Sequence, residues 1–214
     1  MKTPKAMLFD WDNTLVDSWP IIHAALNHTF KQFGMPEWDR KTVQQKSRKS
    51  LRDNFPPLFG TRWQEARTIY YNEYSRIHAS MMQPLSGANS LLDYLHKQAF
   101  PVGIISNKRH ENLQIEIKRL QWEKYFAFAY GSGAAGHDKP QPDMGQKALK
   151  QLQMTSPAGV YYVGDTLLDV EFAHQCQFQS IIIGNRQECG TPPIEAHHYF
   201  PNLDEFNHYL SSIF

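Results

Sequence analysis

The sequence has few cysteines, no long hydrophobic run and almost no net charge. Its two cysteines, Cys176 and Cys189, form neither a Cys-x-x-Cys pair nor a zinc-binding spacing. No apolar run approaches the roughly 18 residues that a membrane-spanning helix needs. Because 22 basic residues balance 21 acidic ones, for a net charge of +1, the chain lacks the concentrated positive charge that binds nucleic-acid backbones.

These absences favour a cytoplasmic protein with no nucleic-acid and no membrane partner. A chain with so few cysteines suits a reducing compartment. Met1 to Lys5 is short and polar and leads directly into an apolar run, so we expect no signal peptide there. Hydrophobic residues nevertheless make up 41% of the 214 residues. That is enough for a packed core in one domain, or in one domain that carries a smaller insert.

Short apolar runs alternate with segments of helical spacing along most of the chain. Runs that are apolar on both faces are typical of parallel strands covered on both sides. Helical spacing separates most of them, for example at Leu113, Ile117 and Leu120. This alternation predicts the α/β class, with a Rossmann-like, doubly wound, mainly parallel sheet. The apolar runs cover residues 6–9, 102–105, 126–130, 160–163 and 180–183.

One long interval, between Leu15 and about Pro84, contains no convincing strand. The spacing of its apolar residues predicts helices instead. We therefore predict an all-helical inserted domain over residues 17–84, and a core domain over residues 1–16 and 85–214. The predicted helices cover residues 18–34, residues 39–54 with an end before Pro56, and a third segment with an apolar stripe over residues 63–77.

Polar side chains follow the ends of several predicted strands. Asp10 and Asp12 come after the first run, Ser106 after the second and Asp165 after the fourth, and Lys139 lies in the loop after the third. Because the carboxyl ends of parallel strands meet at one edge of a sheet, these residues are expected to lie close together.

Such a cluster of carboxylates needs neutralisation. Asp169 joins the group because it follows Asp165 at helical spacing. Two like charges at about 4 Å cost roughly 4 kcal/mol at an effective dielectric constant near 20. Oxygen ligands without histidine or thiolate select a hard cation, so Mg²⁺ is the expected cofactor. With Lys139 and the hydroxyl of Ser106 completing an anion site, the pattern indicates phosphoryl transfer, in which a carboxylate can act as nucleophile.

Four segments in order resemble the motifs of the haloacid dehalogenase superfamily of phosphohydrolases. Residues 7–18 (MLFDWDNTLVDS) resemble its first motif, and residues 104–108 (IISNK) resemble its second. Residues 139–142 (KPQP) and 163–169 (VGDTLLD) resemble the third and fourth. The resemblance extends from residue 6 to about residue 185, and residues 196–206 resemble the family's closing strand and helix.

The resemblance implies a role for each residue. Asp10 would be the nucleophile and a metal ligand. Asp12 would be the general acid and base, and its backbone carbonyl would bind the metal. Ser106 would hold phosphate oxygens, and Lys139 would offset charge on Asp10 and the phosphoryl group. Asp165 would bind the metal, and Asp169 would assist directly or through other ligands. The remaining predicted substrate- or phosphate-binding residues are Thr14, Asn107, Lys108, Arg48 and Lys49.

Two departures from the family pattern affect these expectations. Asn13 stands where the phosphoglycolate phosphatase-like branch usually has glycine, but asparagine tolerates left-handed backbone angles. The basic segment 40–52 stands where relatives often have a glycine-containing specificity loop. This segment either faces the site, with Arg48 and Lys49 drawing anionic substrates inward, or is a solvated helix.

The resemblance therefore implies an Mg²⁺-dependent phosphomonoester hydrolase with a helical cap of the family's first type. Its partner would be a small phosphorylated metabolite, phosphoglycolate-like or a sugar phosphate, bound by a monomer or a homodimer. An Asp at position 12 favours a phosphatase or a phosphomutase, so a phosphomutase like β-phosphoglucomutase is the alternative. A non-catalytic phospho-aspartate switch is a third possibility.

Overall fold

The chain forms two compact units in a computed structural model that describes residues 4–47, 51–184 and 195–213, except the side chains of residues 52 and 53. One unit, here the core unit, comprises Met1–Val16 and Pro84–Phe214. The other, here the inserted unit, comprises Asp17–Gln83. That the inserted unit acts as a cap stays a prediction.

The core unit is built on a six-stranded sheet in the order β5-β4-β1-β6-β7-β8. Every adjacent pair in it is parallel, which confirms the predicted doubly wound α/β class. The first three strands along the chain are β1 (Ala6–Phe9), β2 (Val16–Asp17) and β3 (Gln83–Pro84). The others are β4 (Val102–Arg109), β5 (Phe128–Ser132), β6 (Val160–Gly164), β7 (Gln179–Ile183) and β8 (His198–Phe200).

Helices separate the strands of the large sheet. The helices of the core unit are α5 (Ala88–Lys97), α6 (His110–Arg119), α7 (Asp143–Gln151), α8 (Leu167–Gln175) and α9 (Leu203–Ser211). All four residues of β1 are buried, because β1 lies between two strands and both its faces are covered. Ala6, Leu8 and Tyr162 belong to one hydrophobic cluster with Phe172 of α8.

The inserted unit is helical apart from its terminal strand residues. Its helices are α1 (Trp19–Gln32), α2 (Arg40–Lys46), α3 (Leu51–Phe59) and α4 (Trp63–Met81). Their contacts are largely aromatic: the ring centroids of Phe30 and Phe59 lie 5.7 Å apart, and those of Phe55 and Tyr70 lie 5.6 Å apart. The stripe predicted on α4 is largely confirmed as core, since Tyr70, Tyr74 and Ile77 are buried.

The second predicted helix, over residues 39–54, was wrong in two respects. It is not one helix, since α2 ends at Lys46 and α3 begins at Leu51, and its predicted carboxyl end is also wrong. The helix was expected to stop before Pro56, but α3 continues through Pro56 and Pro57 to Phe59. A proline inside a helix removes one backbone hydrogen bond. On either side of the prolines Phe55 and Phe59 are buried, with ring centroids 5.0 Å apart, so tertiary packing outweighs the local preference.

Among the residues that the structure describes, no helix is both long and apolar enough to cross a membrane.

Candidate active site

The carboxyl end of β1 holds the first two acids of the site. Asp10 follows β1 directly, and its backbone N–H donates to the carbonyl of Val163, 2.8 Å away, on the neighbouring strand β6. Its side chain is buried. Asn13 has a φ of +60°, so the predicted left-handed conformation is confirmed and the loop after the strand turns as required.

Lys139 is the centre of the site. It lies between β5 and α7, and its buried ammonium donates to Oδ1 of Asp10 and to Oδ1 of Asp169, each at 2.7 Å. The same Nζ lies 2.9 Å from the hydroxyl of Tyr162, which donates in turn to the carbonyl of Ile105 at 2.7 Å. One lysine therefore joins residues from β1, β6 and α8.

Asn107 fixes the loop that carries Lys139. Its Nδ2 donates to the backbone carbonyl of Lys139, and the Lys139 N–H donates to its Oδ1, both at 2.9 Å. In the structure the Asn107 amide pairs with this backbone, and its predicted contact with phosphate oxygens stays a prediction. The neighbouring Ser106 is buried, and its Oγ accepts the Lys108 N–H at 3.3 Å.

The junction between β6 and α8 positions two more acids. Asp169 Oδ2 accepts three hydrogen bonds, from the backbone N–H groups of Asp165 and Thr166 and from the Thr166 hydroxyl. Gly164 makes this approach possible, because a Cβ atom at that position would lie 2.3 Å from Cγ of Asp169. The glycine of the fourth motif is thus a steric requirement of the site.

Lys108 contacts the predicted general acid Asp12. Its Nζ donates to Oδ1 of Asp12 at 2.6 Å and lies 3.0 Å from Oε2 of Glu116 on α6. The indole N–H of Trp11 donates to the same Glu116 oxygen at 2.6 Å. The structure therefore pairs Lys108 with two carboxylates, and its predicted contact with phosphate stays a prediction.

Three of the predicted metal ligands fit a divalent cation. Asp10, Asp165 and Asp169 each offer an oxygen, and these oxygens lie within 4.8 Å of one another. The donor set contains only oxygen, as Mg²⁺ prefers. Thr14 is buried beside them, and its hydroxyl donates to Oδ1 of Asp165 at 3.4 Å.

Burial controls the ionisation of the site. It raises the pKa of Asp10 to about 6, from an ordinary value of 3.8; Lys139 opposes this shift, while Asp169 and Asp12 add to it. Burial acts to lower the pKa of Lys139, but Asp10 and Asp169 outweigh it and raise that pKa well above its ordinary value. Burial also raises the pKa of Tyr162, so its hydroxyl stays protonated and donates to Ile105.

The structure brings together most of the predicted residues. Arg48 and Lys49, predicted to face the substrate, lie outside the described residues. Sequence reasoning missed Tyr162, Trp11 and Glu116. None of them gave a usable signal, since a tyrosine or tryptophan beside an apolar strand is also an ordinary core residue and a glutamate in a helical segment is ordinarily exposed.

Comparisons with known proteins agree on one family. The family model for haloacid dehalogenase-like hydrolases matches residues 7–183. The chain is 25% identical over 164 residues to pyrophosphatase PpaX of Bacillus mycoides (strain KBAB4), covering 77% of this chain and 76% of that protein.

Solved structures show the same likeness. A haloacid dehalogenase-like family hydrolase from Streptococcus pneumoniae superposes with a TM-score of 0.86 and 27% identity, covering 98% of this chain and 99% of that one. A Lactobacillus plantarum protein, provisionally assigned as a phosphoglycolate phosphatase, superposes with a TM-score of 0.83 over 99% of this chain and 100% of its own. At 17% identity, this second likeness shows the fold alone.

Proposed function

This chain belongs to the haloacid dehalogenase-like hydrolase family, and on that premise we propose that it is a phosphatase. Specifically, we infer an Mg²⁺-dependent hydrolase of phosphomonoesters that acts through an aspartyl-phosphate. The observation that carries the proposal is the buried Asp10 at the end of β1, with the ammonium of Lys139 2.7 Å from its Oδ1. A buried carboxylate held by a fixed cation is oriented for attack on phosphorus.

The residues present account for each bond and proton of the reaction. Asp10 attacks phosphorus, the bond from phosphorus to the ester oxygen breaks, and Asp12 gives its proton to that leaving oxygen. Asp12 then takes a proton from water, which attacks phosphorus and restores the Asp10 carboxylate. Lys139 offsets the negative charge that gathers on Asp10 and the phosphoryl oxygens.

The acid cluster supports Mg²⁺ as the cofactor. Asp10, Asp165 and the backbone carbonyl of Asp12 would hold the cation, which when bound neutralises phosphoryl oxygens. Asp169 supports the site in another way. Its Oδ1 accepts Lys139 and its Oδ2 accepts three further donors, so we assign it to fixing Lys139 and the start of α8.

The relatives extend the range of candidate substrates. PpaX is named as a pyrophosphatase, so pyrophosphate joins phosphoglycolate and sugar phosphates as a candidate substrate. The phosphomutase alternative predicts isomerisation of a hexose phosphate in place of net release of phosphate.

The test is phosphate release from a panel of these compounds and p-nitrophenyl phosphate, with Mg²⁺ and with EDTA. We expect release that requires Mg²⁺ and that falls at least about 10³-fold in Asp10→Asn. Asp93→Asn serves as the control, because Asp93 is an exposed carboxylate that accepts the Tyr125 hydroxyl, and its helix α5 supplies no predicted site residue. Folded protein that releases no phosphate between pH 5 and 9 with several divalent metals would refute the proposal.

A further inference from the structure

Glu116 is a fully buried carboxylate that the proposed reaction does not use. It lies within α6 and is 0% exposed. Burying an ionised carboxylate is costly unless it is paired and hydrogen-bonded. Glu116 has both kinds of partner, since its Oε2 lies 2.6 Å from the Trp11 indole nitrogen and 3.0 Å from the Lys108 ammonium.

Lys108 connects this buried carboxylate to the site. Its side chain is 4% exposed, and its Nζ lies 2.6 Å from Oδ1 of Asp12, whose side chain is 28% exposed. A lysine side chain has four rotatable bonds and no rigid fork, so it needs a second anchor to keep one direction. Glu116, whose side chain is fully buried, supplies that anchor at 3.0 Å.

Trp11 is another hydrogen-bonding partner of Glu116. It is 0% exposed, and its ring packs edge-on against Trp122 with centroids 5.7 Å apart. Trp11 also stands between Asp10 and Asp12 in the sequence, so the backbone that carries both acids is tied to Glu116 through the indole. Trp11, Glu116, Lys108 and Asp12 thus form one continuous set of contacts.

We propose that Glu116 is a positioning residue, which holds Lys108 so that Lys108 aims the carboxyl group of Asp12 at the leaving oxygen. Lys108 accordingly acts on Asp12 and not on the phosphate. The inference rests on the proposed function, because Asp12 needs aiming only if it transfers a proton. A general acid must lie within hydrogen-bond reach of its acceptor, and a small misplacement costs a large part of the rate.

This role predicts a dependence on the leaving group. Proton donation matters most for a poor leaving group and least for a good one. Phenyl phosphate and p-nitrophenyl phosphate share the ring and the phosphate, but phenol leaves less readily than p-nitrophenol. The ratio kcat/KM reports formation of the phospho-enzyme. A misoriented carboxyl group of Asp12 must therefore lower kcat/KM more for phenyl phosphate than for p-nitrophenyl phosphate.

The experiment measures kcat/KM for both esters with wild type, Glu116→Gln and Glu111→Gln. Glutamine keeps the shape of Glu116 and removes its charge. Glu111 lies in the first turn of the same helix with a 71% exposed side chain, so its variant is the matched control. We expect Glu116→Gln to lose about 10- to 100-fold on phenyl phosphate and less than about threefold on p-nitrophenyl phosphate, with Glu111→Gln unchanged.

Two further variants keep the test decisive if Glu116→Gln does not fold. Lys108→Met keeps the length of the side chain, and Trp11→Phe removes the indole donor but keeps an aromatic ring. Both are expected to show the same selective loss, smaller for Trp11→Phe. Equal losses on the two esters in the folded variants, or no loss, would overturn the inference while wild type remains active. Wild type that releases phosphate neither from these esters nor from any compound of the panel would instead refute the proposed function, and the inference with it.

Discussion

Lys139 shows how much of the site depends on single side chains. Its ammonium meets two carboxylates and the hydroxyl of Tyr162, and all of these groups are buried or nearly so. The sequence predicts the meeting of Lys139 with Asp10, because both follow strand ends. It does not predict Tyr162, because a tyrosine in an apolar strand is also an ordinary core residue.

Removing the Tyr162 hydroxyl is expected to lower both the stability of the protein and its kcat, each by a modest amount. In Tyr162→Phe the buried carbonyl of Ile105 loses its donor and Lys139 loses one acceptor. We expect the free energy of unfolding to fall by about 1–3 kcal/mol and kcat by about 3- to 10-fold, measured by urea unfolding and phosphate release. Tyr161→Phe is the matched control, since side chains of adjacent strand residues point to opposite faces of the sheet. Equal effects on kcat in the two variants would contradict this role.

The raised pKa of Asp10 gives the metal-free protein a pH-dependent stability. Below about pH 3 the carboxyl is protonated in both the folded and the unfolded chain. Between about pH 4 and 6 only the unfolded chain releases the proton, so the contribution of Asp10 to stability falls as the pH rises. With a folded pKa of about 6, the whole loss is about 3 kcal/mol.

Asp10→Asn isolates this effect, because asparagine does not titrate. In EDTA, the free energy of unfolding of Asp10→Asn minus that of wild type is expected to rise by about 2 kcal/mol between pH 4 and pH 7.5. Urea unfolding at several pH values measures the difference. A difference that stays constant or falls over this range would show that the folded protein does not raise the pKa of Asp10.

At the scale of elements, the junction of β6 with α8 is the tightest part of the site. The strand must end close to the first turn of the helix so that Asp169 can reach both the start of α8 and Lys139. Only glycine at position 164 leaves room for that approach. In parallel sheets, ligands bind at the carboxyl ends of the strands. At the carboxyl end of β6, the close approach of α8 to Gly164 holds Asp169 within hydrogen-bond distance of the Asp165 N–H.

Gly164→Ala is expected to push the start of α8 away from β6. The added Cβ would lie 2.3 Å from Cγ and 2.4 Å from Cβ of Asp169, atoms too near the backbone to move freely. We expect a loss of about 1–3 kcal/mol in unfolding free energy and at least tenfold in kcat. Gly136→Ala is the control, because there the new atom would meet Oδ1, at the end of the Asp143 side chain. Wild-type activity in Gly164→Ala would show that Asp169 need not stay in place.

At the scale of the whole molecule, the predicted nucleophile and the acid cluster belong to one of the two units. Asp10, Asp165, Asp169 and Lys139 all belong to the core unit, and the inserted unit contributes none of these side chains. The inserted unit has its own aromatic core, from Phe30 to Tyr74. Ligands of the acid cluster are therefore expected to stabilise the core unit selectively.

Mg²⁺ at about 100 times its dissociation constant is expected to stabilise the core unit by about 2.7 kcal/mol. For a chain of this size that corresponds to a rise in Tm of roughly 5–10 °C, reversed by EDTA. Calorimetry measures the shift, and NaCl of equal ionic strength is the control. The Tm of any separate unfolding transition of the inserted unit should not change. An equal rise in Asp165→Asn would contradict binding at this cluster.

The parallel sheet and the convergence of acidic residues at one of its edges could be predicted from the residue pattern. Apolar runs that alternate with helical spacing admit few topologies, and the carboxyl ends of their strands converge whichever side chains follow. Tertiary structure alone decided the partners: Lys108 pairs with Asp12 and Glu116, and Asn107 pairs with the backbone of Lys139. The physical reason is that a hydrogen bond or ion pair depends on distances of a few ångströms between segments far apart in the chain. Only packing sets those distances, and the continuation of α3 through Pro56 shows packing outweighing local preference in the same way.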